Sequence, residues 1–157
     1  MASGMVIELD PPRGVGLVRI GSSRAEAWRT LGNYGVVKHF SRAGKESSLV
    51  VRGQDNEVTI FAYFDSGDRV EAIEVARPAA AVKVVYAGVD LFGTCADEVV
   101  RTLSMSATVV ESEGGSTYRV KALLLALWRA TVPESDDDPD GRYFESVLVS
   151  APAYFEA

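Results

Sequence analysis

The chain has one cysteine, one histidine and no surplus of basic residues, and each scarcity removes a class of function. Cys95 alone forms no internal disulfide and no cysteine-rich zinc site. Any Ser–His–Asp or Cys–His arrangement would have to use His39, which lies between Lys38 and Phe40 and reads as an ordinary surface histidine. No apolar run approaches the roughly 18 residues that cross a bilayer. Residues 1–12 hold no basic cluster followed by an apolar stretch, so no secretory signal is legible and a cytoplasmic protein is expected. Lys and Arg number 16 against 22 Asp and Glu, a net charge of −6. Phosphate backbones are bound by surplus cations, so nucleic acid is not an expected partner. Gly14-Val-Gly16 is too short for a dinucleotide-binding turn and lacks the third glycine. No cofactor and no catalytic residue is expected.

What is present is ordinary globular material: 157 residues, 47% apolar and 24% charged. That length suits one compact domain or two small units. The charge is unevenly placed. Residues 1–133 are neutral, and Glu134 to Ala157 carry seven acids and one base, the whole of the −6. Asp136, Asp137, Asp138 and Asp140 precede Gly141 in a D-x-D-x-D-G pattern that resembles the first half of a calcium loop. Its twelfth position is Val147 where such a loop needs a bidentate carboxylate, and Glu145 falls two residues early. The segment is therefore read as a solvated turn without metal, or as an acidic loop that steers a cationic partner.

Two segments align without gaps at an offset of 72. Gly16–Gly32 and Gly88–Ser104 share Gly16/Gly88, Gly21/Gly93, Glu26/Glu98, Arg29/Arg101, Thr30/Thr102 and Leu31/Leu103. Each reads as a short helix, with Ser22 or Thr94 as N-cap and one apolar stripe, and a weaker helix is expected near residues 35–40. Strands are expected at 48–53, 58–64 and 70–75, at 82–86, and at 107–112, 117–130 and 143–149. Asp65 to Asp68 reads as a hairpin turn. Duplicated supersecondary units follow from such a period. The expected fold class is α+β: two tandem repeats, residues 1–80 and 81–157, each a helix followed by an antiparallel meander with helices on one sheet face.

Alternation assigns the sheet faces. Val58, Ile60, Ala62, Ile73, Val75, Leu123, Leu125, Leu127, Val147 and Val149 form the core face. The opposite face carries Phe61, Tyr63 and Glu74 in the first unit and Trp128 and Phe144 in the second, with Tyr63 and Trp128 at equivalent positions. Aromatics beside a carboxylate on a half-wet face suit a protein interface.

The Gly-Ser helix start through Glu26 to Leu31-Gly32, matched by Gly93-Thr94 through Glu98 to Leu103, resembles the β-lactamase inhibitor protein family and the related small lipoprotein of outer-membrane assembly. The resemblance implies tandem helix–sheet repeats, an aromatic protein-binding surface and no catalysis. The single cysteine departs from the disulfide-bonded inhibitor and from the lipid anchor, so the resemblance carries the fold and protein binding without the target. The expected function is a non-enzymatic interaction module, such as an inhibitor or immunity protein, acting through Phe61, Tyr63, Trp128, Phe144 and Glu74. The alternatives are a small-molecule site converging on Tyr63, Trp128 and Glu74, and a homodimer built on that face.

Overall fold

Val, Ile, Phe and Tyr fill the segments between turns, and these residues favour pleated backbone. The computed structural model describes residues 5–41, 47–53, 57–135 and 137–156, and strand is its dominant element. In chain order the elements are β1 (Met5–Asp10), β2 (Gly14–Val15), β3 (Val18–Arg19), α1 (Arg24–Leu31), β4 (Val36–Phe40), β5 (Ser48–Arg52), β6 (Thr59–Phe64) and β7 (Val70–Ala76). There follow β8 (Val82–Tyr86), β9 (Val89–Asp90), α2 (Ala96–Ser104), β10 (Val110–Ser112), β11 (Thr117–Val120), β12 (Leu125–Trp128), β13 (Ser146–Ser150) and α3 (Pro152–Glu156).

These strands form two sheets. The larger runs β10-β11-β12-β13-β7-β6-β5-β4 and is antiparallel throughout; the smaller runs β3-β2-β1-β8-β9, with β1 and β8 parallel. At the centre of the large sheet β7 meets β13, with Glu74 opposite Leu148. Its inner face is a continuous apolar row. Val37, Val51, Ile60, Val75, Val147, Leu127 and Tyr118 face one another across seven strands, and all are buried. Ile7 and Leu9 of β1, Val84 of β8, Leu31 of α1 and Leu103 of α2 join the same core.

The α+β tandem-repeat expectation is corrected by this architecture, and with it the resemblance to the β-lactamase inhibitor protein. The protein is mainly β, the α-helices among its described residues span only eight, nine and five residues, and helix-plus-meander units do not organise the chain. Strands from residues 1–80 and from 81–157 form contiguous blocks that join within each sheet, at β1 on β8 and at β7 on β13. The residues behind the resemblance were helix caps and turn glycines, which recur wherever a strand hands over to a short helix.

Local readings fared unevenly. The strands at 48–53, 58–64, 70–75 and 82–86 and the turn at 65–68 are present within a residue or so. Residues 36–40 form strand β4 and not a helix. The stretch 117–130 is broken, because Lys121–Leu123 make one 3-10 turn and Leu124 turns left-handed (φ 49°, ψ 44°). Both helices start one residue later than expected. Ser23 caps α1, accepting from Glu26 N at 3.2 Å, while the Glu26 carboxylate accepts from Ser23 N at 3.3 Å. Cys95 occupies the same position on α2 and makes no side-chain cap.

Candidate functional site

The outer face of the large sheet holds four of the five residues expected at an interface. One cross-strand row reads Lys38, Val50, Phe61, Glu74, Leu148, Ala126, Arg119, Val110. Phe61 and Tyr63 lie nearly parallel with ring centres 6.2 Å apart, and Phe40 stands edge-on to both at 5.4 and 6.1 Å. The Tyr63 hydroxyl donates to Glu74 Oε1 at 2.7 Å, so this carboxylate is held by the cluster. All four side chains are half-buried.

Trp128 is on the same face, 42% exposed, but it does not join them. It stands opposite Ser146, which faces Ala76, whereas Tyr63 stands opposite Ala72. Three strand spacings of about 4.8 Å and four residue rises of about 3.4 Å put roughly 20 Å between Tyr63 and Trp128. The expected convergence of Tyr63, Trp128 and Glu74 on one ligand is therefore absent. Phe144 is not on this face. It is fully buried, edge-on to Tyr118 at 5.7 Å. Alternation continued from Ser146 would turn Phe144 outward, but β13 begins at Ser146, and a ring just outside a strand is free to turn inward.

The short helix α3 lies on this face and touches both halves of the sheet. Tyr154 stacks on Tyr63 with centres 6.4 Å apart, and the Arg119 guanidinium sits 4.1 Å above the Phe155 ring while donating to the Phe155 carbonyl. Phe155 is buried by this docking.

A second feature, a cleft of about 840 Å³, lies between the start of α2, the β10–β11 turn and the loop before β13. Its floor is Arg129, only 3% exposed. Arg129 Nε donates to Gly115 O (2.9 Å), Nη1 to Gly141 O (3.0 Å) and Nη2 to the Tyr118 hydroxyl (3.3 Å). Tyr118 in turn donates to Glu111 Oε1 at 2.9 Å. Burial pushes the Tyr118 phenol up, and the Glu111 hydrogen bond adds to this. A guanidinium is rarely buried without such a full set of acceptors. Sequence reasoning passed over Arg129; its one signal was a lone cation directly after the apolar run ending at Trp128.

The acidic loop forms one wall of that cleft. Asp138 accepts from Glu134 N (3.1 Å) and Asp140 N (2.9 Å), which holds its carboxyl below the usual range and folds the loop on itself. Asp137 and Asp140 point to solvent, and Asp136 lies outside the described residues. Among the described residues no His, Cys, Asp and Glu group is placed to hold a metal ion. Nor is any helix among them long and apolar enough to cross a membrane. His39 is exposed and lies against Trp28 at 5.0 Å. No protein-family model matches the chain, and no curated protein and no solved structure does either.

Proposed function

We propose that this chain is a non-enzymatic protein-interaction module of the cytoplasm, of the inhibitor or immunity-protein kind, working through the outer face of its eight-stranded sheet. The observation that carries the reading is the half-exposed Phe40–Phe61–Tyr63 cluster beside Glu74, with Trp128 standing out from the same face. Tyr and Trp supply much of the energy in protein interfaces, because each offers a large rigid area with a polar tip. A nearly neutral sheet and a separate acidic loop suit a partner whose basic surface is attracted from a distance and then packs on aromatics.

The test is capture of a partner from native lysate by the intact chain and by Phe61→Ala and Trp128→Ala variants. Loss of the same captured protein in either variant, with unchanged melting behaviour, supports the reading. Capture indifferent to both substitutions rejects it. One observation favours a second reading: the cleft over Arg129 has the volume of a small-molecule site. A metabolite that raises the melting temperature of the wild-type chain and not of an Arg142→Ala variant would move the function there.

A further inference from the structure

The outer face shows in its own structure what it can hold. Helix α3 has five residues, far fewer than a free helix needs for stability in water. Its conformation therefore depends on its seat. Tyr154 stacks on Tyr63, Phe155 lies under Arg119, and Glu156 reaches Lys121 at 3.5 Å. Arg119 is engaged twice, through the ring and through the carbonyl of the same residue. A planar guanidinium suits that double contact, since its edge donates while its face stacks. In the cross-strand row Arg119 is next to Ala126, whose single methyl leaves the sheet low beside it.

We propose that the seat beneath α3 is the specificity pocket of the outer face, and that it takes from the partner a short helical turn bearing two adjacent aromatics followed by a carboxylate, which displaces α3. The proposal rests on the interaction-module reading. The seat holds α3 through few side chains, namely the Tyr154–Tyr63 stack, Phe155 under Arg119 and the exposed Lys121–Glu156 pair, and a contact of that size can be exchanged for a similar one. Attachment to the sheet supplies α3 at an effective concentration of about millimolar, so a partner at micromolar concentration must bind the seat about a thousandfold more tightly than the free α3 segment does, through contacts that its own surface adds on the rest of the face. Charge complementarity favours an acidic segment, because Arg119 and Lys121 both border the seat.

The probe is a labelled peptide with the sequence of residues 151–156, titrated into the full chain and followed by anisotropy. A Tyr154→Ala/Phe155→Ala chain, its seat vacated, is expected to bind it at least tenfold more tightly than wild type does. Adding Arg119→Ala should weaken that binding at least tenfold. No binding to a double variant that keeps its circular dichroism and melting transition overturns the proposal. If the double variant does not fold, hydrogen exchange in the wild-type chain decides: excess peptide must speed exchange at the Phe155 amide, and an unchanged rate overturns the proposal. A concentration-dependent dimer abolished by Arg119→Ala would assign the seat to a second copy and overturn it too. Partner capture lost in Phe61→Ala but retained in Arg119→Ala refutes this pocket while leaving the interaction module standing. Capture indifferent to Phe61, Trp128 and Arg119 alike refutes both.

Discussion

From β4 to β7 the inner row of the large sheet is Val37, Val51, Ile60 and Val75; from β13 to β10 it is Val147, Leu127, Tyr118 and Glu111. The two halves share strand number and pairing sense, yet they are closed differently. The first half is aliphatic to its edge, and its outer side adds the Phe40–Phe61–Tyr63 cluster. The second half ends in a polar network, where Arg129 ties the β10–β11 turn, the loop before β13 and Tyr118 to one buried guanidinium. Apolar packing is non-directional and tolerates adjustment. A buried charge held by carbonyl oxygens fixes geometry, and it is costly to break because each abandoned acceptor stays out of water.

The largest expected effect tests that contrast directly. Arg129→Met leaves the Gly115 and Gly141 carbonyls without their donor and should cost about 3 kcal/mol of unfolding free energy, read from urea denaturation with an unchanged slope. Loss of the Asp97 pair adds little to that cost, since its carboxylate is 3.9 Å from Arg129 Nη2 and mostly in solvent. Phe61→Ala should cost about 1 kcal/mol, because a half-exposed ring forfeits only part of its burial and two aromatic contacts. Equal costs for the two substitutions would mean that the halves are not closed by different forces.

The same contrast explains what could be read from the sequence. β5, β6 and β7 were legible because Leu49, Val51, Ile60, Ala62, Ile73 and Val75 alternate strictly and all face the core. Tyr63 and Trp128 were correctly placed on one face, but periodicity says nothing of distance, and only the register reveals that the sheet centre lies between them. The second half misled where polar and turn chemistry overrides alternation. Leu124 sits left-handed inside what reads as a continuous apolar strand. Phe144 turns inward just ahead of β13. Arg129 is a cation in the interior, which no hydrophobic pattern announces. The helix similarity at an offset of 72 was real as sequence, but caps and turn glycines do not specify the mainly β architecture that joins them.

A smaller effect compares the two helix starts. Ser23 and Glu26 form a full capping box on α1, while α2 has Cys95 at the same position and Glu98 three residues later. A thiol is a weak acceptor, so the N-terminal amides of α2 lack a good side-chain partner. Cys95→Ser should supply one and raise stability by about 0.5 kcal/mol, whereas Ser23→Ala should lower it by about 1 kcal/mol. Thermal melts of both variants check the signs, and a destabilised Cys95→Ser chain would show that the thiol is needed where it packs.

The smallest expected effects are those of pH, and they also separate the halves. Asp10 is held below the usual carboxylate range by hydrogen bonds from Arg13 and Arg19, Glu26 by Ser23, and Asp68 by Arg24. All three belong to the first half of the chain, whereas in the second half Asp138 alone is held low, by the Glu134 and Asp140 amides of its own exposed loop. A depressed carboxylate contributes stability that is complete above about pH 4 and is lost as pH falls through the lower folded value. Tyr118 in the second half is shifted upward, so its contribution is complete below about pH 10 and is lost as pH rises through the folded value. Acid should therefore loosen the first half first, and alkali the second. Trp28 lies against His39 of β4 and Trp128 belongs to β12, so each half has its own fluorophore. With Trp128→Phe the remaining emission should change early in an acid titration, and with Trp28→Phe early in an alkaline one. Coincident transitions in both variants at both extremes would mean that the two halves open as a single unit, and that their different chemistry does not give them separate stabilities.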